Sequence, residues 1–85
     1  MSLLKAFAVY DQKAEAYLRP FFTKTRGQAI RGFVDAVNDP NHEFNKHPDD
    51  YTLFYLGEFD ETKGELSPAT AESLGNALIF LERES

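Results

Sequence analysis

Tyr17-Leu-Arg-Pro-Phe-Phe-Thr-Lys-Thr-Arg26 interleaves three aromatic rings with three cations, and Arg31 follows shortly after. Rings offer flat faces on which nucleobases stack, worth ~1–3 kcal/mol per base, while cations track the phosphates of a single strand. Tyr17, Arg19, Phe21, Lys24, Arg26 and Arg31 are therefore the candidate nucleic-acid contacts. A helix start at Thr25 would add the backbone amides of Thr25, Arg26 and Gly27 as a phosphate seat. The competing structural reading is that a small domain buries its aromatics: Phe22 and Phe33 are assigned to the core, and Tyr17 and Phe21 stay open between core and surface. The feature is one of composition and not of fixed spacing.

Other chemistry finds little support. His42 and His47 share a polar loop with Asp39, Glu43, Asp49 and Asp50, but their spacing matches no motif that forces metal ligands together, and such a loop is ordinarily solvated. No nucleophile elbow, glycine-rich phosphate loop or His-Glu-x-x-His occurs, and Glu58, Asp60 and Glu61 read as the solubilising surface of a hairpin. With no cysteine in the chain, thiol catalysis, cysteine-ligated zinc and disulfides are excluded. A non-enzymatic protein without metal or cofactor is expected.

The net charge of −5 taken alone speaks against binding a polyanion. Residues 1–31, however, carry six basic and two acidic side chains, net +4, whereas residues 32–85 carry three basic and twelve acidic ones, net −9. Such asymmetry points to a polyanion or a charged protein as partner, unless folding intermixes the two halves. At 85 residues the chain reads as one domain spanning 1–85, too small to bury a large core, in which eight Phe and four Tyr supply most of the apolar mass. Self-association is a common support at this size. The sequence has no apolar run of the ~18 residues a membrane span requires, and its start lacks a signal-peptide pattern, so a soluble intracellular protein with no membrane partner is expected.

The elements that must position these residues can be read in order. Leu3 to Tyr10 is apolar on both alternating faces, the pattern of an inner strand. Glu15 to Phe22 alternates and can pair back on it, with Pro20 confining it to an edge or an irregular path. Thr25 and Gln28 stand at capping-box spacing, and Ile30, Phe33, Val34 and Val37 form a helical apolar stripe that Asn38-Asp-Pro40 ends. Gly27 and Gly32 weaken this helix, either by tolerance or because something approaches closely. Asn38 to Asp50 reads as a long polar loop anchored by Phe44. Tyr51 to Phe59 reads as an inner strand, Asp60 to Gly64 as a bulged hairpin turn, and Glu65 to Ser67 as a short return strand closed by Pro68. Ala71, Leu74, Ala77, Leu78 and Leu81 suggest a second helix over 71–81, while Gly75 and the run Ala77 to Leu81 also permit a strand. These elements predict an α+β fold: a small antiparallel sheet of three to four strands packed on one face by one or two helices.

Ala8-Val-Tyr-Asp11, Lys13-Ala-Glu-Ala-Tyr17, Pro20-Phe-Phe22, Gly27 with Ala29, Arg31 and Phe33, Ala36-Val-Asn-Asp39 and above all Phe44-Asn-Lys-His-Pro-Asp-Asp-Tyr51 resemble the small nonstructural protein of microviruses, in the gokushovirus branch of these single-stranded DNA phages. The resemblance is close over about residues 5–60 and looser beyond. It implies a phage protein made in the host cytoplasm and left out of the capsid, binding single-stranded or replicative-form DNA during genome replication or packaging. No active-site residues come with it. A viral or host replication protein, bound through the acidic face and the exposed strand edges, is the alternative partner, and a second copy of the chain is a further one.

Overall fold

The computed structural model describes residues 3–82. Its element order is β1 (Leu3–Asp11), β2 (Ala16–Tyr17), β3 (Phe21–Thr23), α1 (Arg26–Val37), α2 (Glu43–Lys46), a 3-10 turn (Pro48–Asp50), β4 (Tyr51–Asp60), β5 (Glu65–Asn76) and α3 (Ala77–Phe80). The five strands form one antiparallel sheet in the order β2-β1-β4-β5, with β3 beside β2 along the same edge of β1. The α+β reading holds. The sheet gains a strand over the expected number because the segment after β1 pairs back on it in two short pieces, β2 and β3, and two of the three helices described are single turns.

β1 lies between β4 and the β2/β3 edge, as its two apolar faces demand. One face, Phe7 and Val9, packs with Leu53 of β4 against Ala29, Phe33 and Val37 of α1. Helix α1 starts at a complete capping box: the Gln28 amide donates to Thr25 Oγ1 at 3.2 Å, and Gln28 Oε1 accepts from the amides of Thr25 and Lys24. Gly27 and Gly32 have room for a methyl group, so neither marks a close approach.

The segment 38–50 is more ordered than a polar loop. His42 Nδ1 accepts the Phe44 amide and caps α2, and Phe44 is buried between Phe33 and Tyr51, the anchor its isolation in sequence suggests. The hairpin turns through Gly64 at φ 68°.

The C-terminal third departs from expectation. β5 does not stop at Pro68 but continues to Asn76, and residues 71–81 contain only the single turn α3. Pro68 is tolerated because β5 is an edge strand and pairs there with Gly57 at a bulge. The spacing of Ala71, Leu74 and Ala77 that mimics a helix arises from irregular pairing instead. Leu74 is the extra residue between the Phe54↔Ser73 and Leu53↔Gly75 pairs, and it turns inward onto the core. Asn76 closes the strand by donating to the carbonyls of Asp49 and Tyr51 and accepting the Leu78 amide.

Candidate nucleic-acid interface

Among the described residues, no helix covers the opposite face of the sheet. Ala6, Ala8 and Tyr10 of β1 point to it by strand alternation, and around them stand Tyr17, Phe22, Phe54 and Phe59. Tyr17 meets Tyr10 edge-on at 4.9 Å and Phe54 at 5.5 Å between ring centroids, and 46% of its surface remains exposed. Further along, Phe22 packs on Phe59 at 5.7 Å, beside a groove of about 230 Å³ whose walls include Pro20, Leu56, Leu66 and Pro68.

The path from β2 to β3 explains which ring went where. Leu18 to Pro20 leaves the ladder after the Leu18 amide bonds the Val9 carbonyl at 2.8 Å, since Pro20 has no amide hydrogen to continue it. The simple alternation across 15–22 is therefore broken. Phe21 faces the helix side, stacked on Phe7 at 5.8 Å, and joins the core margin. Phe22, assigned to the core from sequence, is instead 43% exposed on the open face. Phe33 is buried as expected.

The four candidate cations are not equivalent. Arg26 lies on the helix side, where its guanidinium donates two hydrogen bonds to the Glu72 carboxylate, at 2.9 and 3.0 Å, and sits 4.7 Å from the Tyr55 ring centre. The hydrogen bond to Glu72 raises the Arg26 pKa, and its counterpart lowers that of Glu72 below the usual glutamate range. Arg19, Lys24 and Arg31 are exposed and, among the described residues, make no ion pair. Arg19 lies between β2 and β3, Lys24 at the far end of β3, and Arg31 on the outer surface of α1. The structure thus gathers Tyr17 and Arg19 at one place on the sheet edge, withdraws Phe21 and engages Arg26. At the start of α1 the capping box occupies the Thr25 amide, which leaves those of Arg26 and Gly27 without an intrahelical partner.

Tyr10 and Phe54 belong to the open aromatic cluster and were not among the sequence candidates. Their strands showed two apolar faces, which reads as burial on both sides. Nothing in that pattern tells whether a second layer exists.

His42 is used as a helix cap, and His47 Nε2 stands 3.9 Å from Glu43 across one turn. Among the described residues no three His, Asp or Glu side chains converge as metal ligands, and no helix is long and apolar enough to cross a membrane.

Over residues 4–80 the chain matches the family described as Phage ORF5 protein. It is 35% identical over 69 residues to Protein ORF5 of Chlamydia phage 1, an alignment covering 76% of this chain and 72% of that protein. No solved structure matches the chain.

Proposed function

Because the chain belongs to the Phage ORF5 protein family, the small nonstructural proteins of microviruses, we propose that it binds single-stranded phage DNA, without catalysis, in the host cytoplasm during genome replication or packaging. The observation that carries this reading is the exposed Tyr17 ring on the uncovered sheet face, braced by Tyr10 and Phe54, with Arg19 two residues further along the same edge. A base stacked on Tyr17 brings its phosphate to the level of Arg19. Lys24 and Arg31 offer further phosphate contacts, whereas Arg26 contributes only after leaving Glu72. Few cations engage, so binding is modest in strength and tolerant of sequence.

The test is the affinity for a single-stranded oligonucleotide across a range of salt. Three phosphate contacts correspond to a slope of log K against log salt of about −2. Arg19→Glu and Tyr17→Ala each weaken binding at low salt. Absence of binding at low salt, or a slope of zero, sinks the reading.

The adaptor alternative draws on a different observation. β5 is an edge strand with one side unpaired over much of its length, which suits strand addition by a viral or host replication protein. It predicts indifference to oligonucleotides and capture of one partner from infected cells.

A further inference from the structure

We propose that the open face at the projecting end of the β4–β5 hairpin is a contact between two copies of this chain related by a two-fold axis. This does not rest on the DNA reading, because it uses the opposite end of the sheet face from Tyr17. The two patches are separated along β1 by the step from Ala6 to Tyr10, about 13 Å at strand rise.

The shape sets the problem. The molecule measures 47 × 24 × 19 Å with a radius of gyration of 13.6 Å, against about 12 Å for a compact chain of this length. The excess is the hairpin end. Helix α1 packs over the Phe7, Val9 and Leu53 level of the sheet, while Leu3 to Lys5 pair with Glu58 to Asp60 beyond it. An antiparallel sheet facing water on one side should present polar residues there. Here that side presents Phe22, Phe59 and Leu66 around the groove, and Leu66 is 67% exposed.

Charge selects the occupant. Glu58 is the one ionisable residue in the groove wall, and its carboxylate stands 3.6 Å from Lys5 Nζ, whose own position near Tyr55 places the pair toward the other face. The lining itself offers a phosphate or a charged peptide no counter-charge, since Arg19 and Lys24 adjoin Pro20 and Phe22 in the chain but stand outside the wall. An equally uncharged apolar surface fits, and the same surface on a second copy is one. Leu66 stands as a ridge beside the groove, so a two-fold axis sets the ridge of each copy against the groove of the other, in the manner of two packed sheets. A standard stable pair buries about 800 Å² on each partner, and the hairpin end is only part of a face 47 by 24 Å, so the pair is a weak one that exchanges with monomer.

The experiment is sedimentation equilibrium on the full chain over a wide concentration range, at low and high salt. A monomer–dimer equilibrium is expected. It should hold or tighten as salt rises, since each copy carries a net charge of −5 and the contact contains no ion pair. DNA binding must move the opposite way, so either can fail without the other. Leu66→Glu should raise the dissociation constant on the order of a hundredfold, with the far-ultraviolet circular dichroism of the dilute protein unchanged, and Leu66→Met should restore dimerisation. A wild-type chain that stays monomeric at the highest concentration reached overturns the proposal. So does a dimer indifferent to Leu66→Glu, which would pair through the β5 edge, and so does a monomer that loses oligonucleotide binding on Leu66→Glu, which would give this face to nucleic acid.

Discussion

Arg26 and Glu72, 46 residues apart in the chain, are joined by two hydrogen bonds that tie the first turn of α1 to the outer strand β5. The pair is exposed, so its effect on stability is small and screened by salt. Its pH signature still has a definite sign. The hydrogen bond from Arg26 lowers the Glu72 pKa in the folded state, so the unfolded chain binds that proton more readily. The pair's stabilisation is complete above the ordinary glutamate range and is lost as pH falls through the lower folded value. Melting temperatures measured down through the acid range should fall more steeply for the wild type than for Glu72→Gln. Parallel curves would show that the bidentate contact does not persist in solution.

Freeing that guanidinium also bears on the proposed DNA contact. Glu72→Gln removes a negative charge and releases Arg26, so oligonucleotide affinity at low salt should rise by a few fold, with a salt slope steeper by about 0.7. An unchanged affinity would confine the interface to the Tyr17 and Arg19 end.

Gly57 should not accept a side chain. Its φ is +148°, and a Cβ there would strike the Ser67 carbonyl oxygen and stand only 3.0 Å from Pro68 Cα. Both obstacles are backbone, so the β4–β5 pairing itself must shift. Gly57→Ala should cost about 2–3 kcal/mol in denaturant unfolding.

Gly32 is the opposite case. It sits inside α1 with nothing within 4 Å of the place a Cβ would occupy. Gly32→Ala should stabilise the protein by about 0.5–1 kcal/mol. A loss of stability would mean that this outer helix surface is occupied.

Asn76 concentrates the bonds that end β5. Its amide donates to Asp49 O at 3.1 Å, Tyr51 O at 3.1 Å and Thr52 Oγ1 at 3.0 Å, and its oxygen accepts the Leu78 amide at 3.0 Å. Asn76→Ala should cost about 2–3 kcal/mol. Asn76→Asp keeps the acceptor for Leu78 and loses the donors, so its destabilisation should be similar or larger, because the carboxylate then faces the carbonyl oxygens of Asp49 and Tyr51.

What could be read from sequence was governed by short-range geometry. Thr25 and Gln28 form their box because three residues separate them in any helix start, and Phe44 is buried because no other large apolar side chain of its segment can be. The errors share a long-range cause. Phe21 and Phe22 exchanged roles because the chain leaves the ladder at Leu18 to Pro20, an interruption set by pairing with β1. Leu74 imitated a helical stripe because a bulge against β4 turned it inward. Arg26 looked available for phosphate because its counter-ion, Glu72, lies far along the chain and comes near only once β5 has joined the sheet. Tyr10 and Phe54 looked buried because two apolar faces on a strand do not reveal that one lacks a covering layer.

The position of β1 also dictates when this protein can fold. The first strand is the centre of the sheet, yet its long partner β4 ends at Asp60, paired with Leu3 at the opposite end of the ladder. A chain emerging from the ribosome therefore holds Phe7 and Val9 with only the β2/β3 segment beside them, and without Tyr55 and Leu53, until β4 has been made. Its slow step is the closure of that long loop, and its exposure to proteases and to mispairing is greatest before synthesis ends.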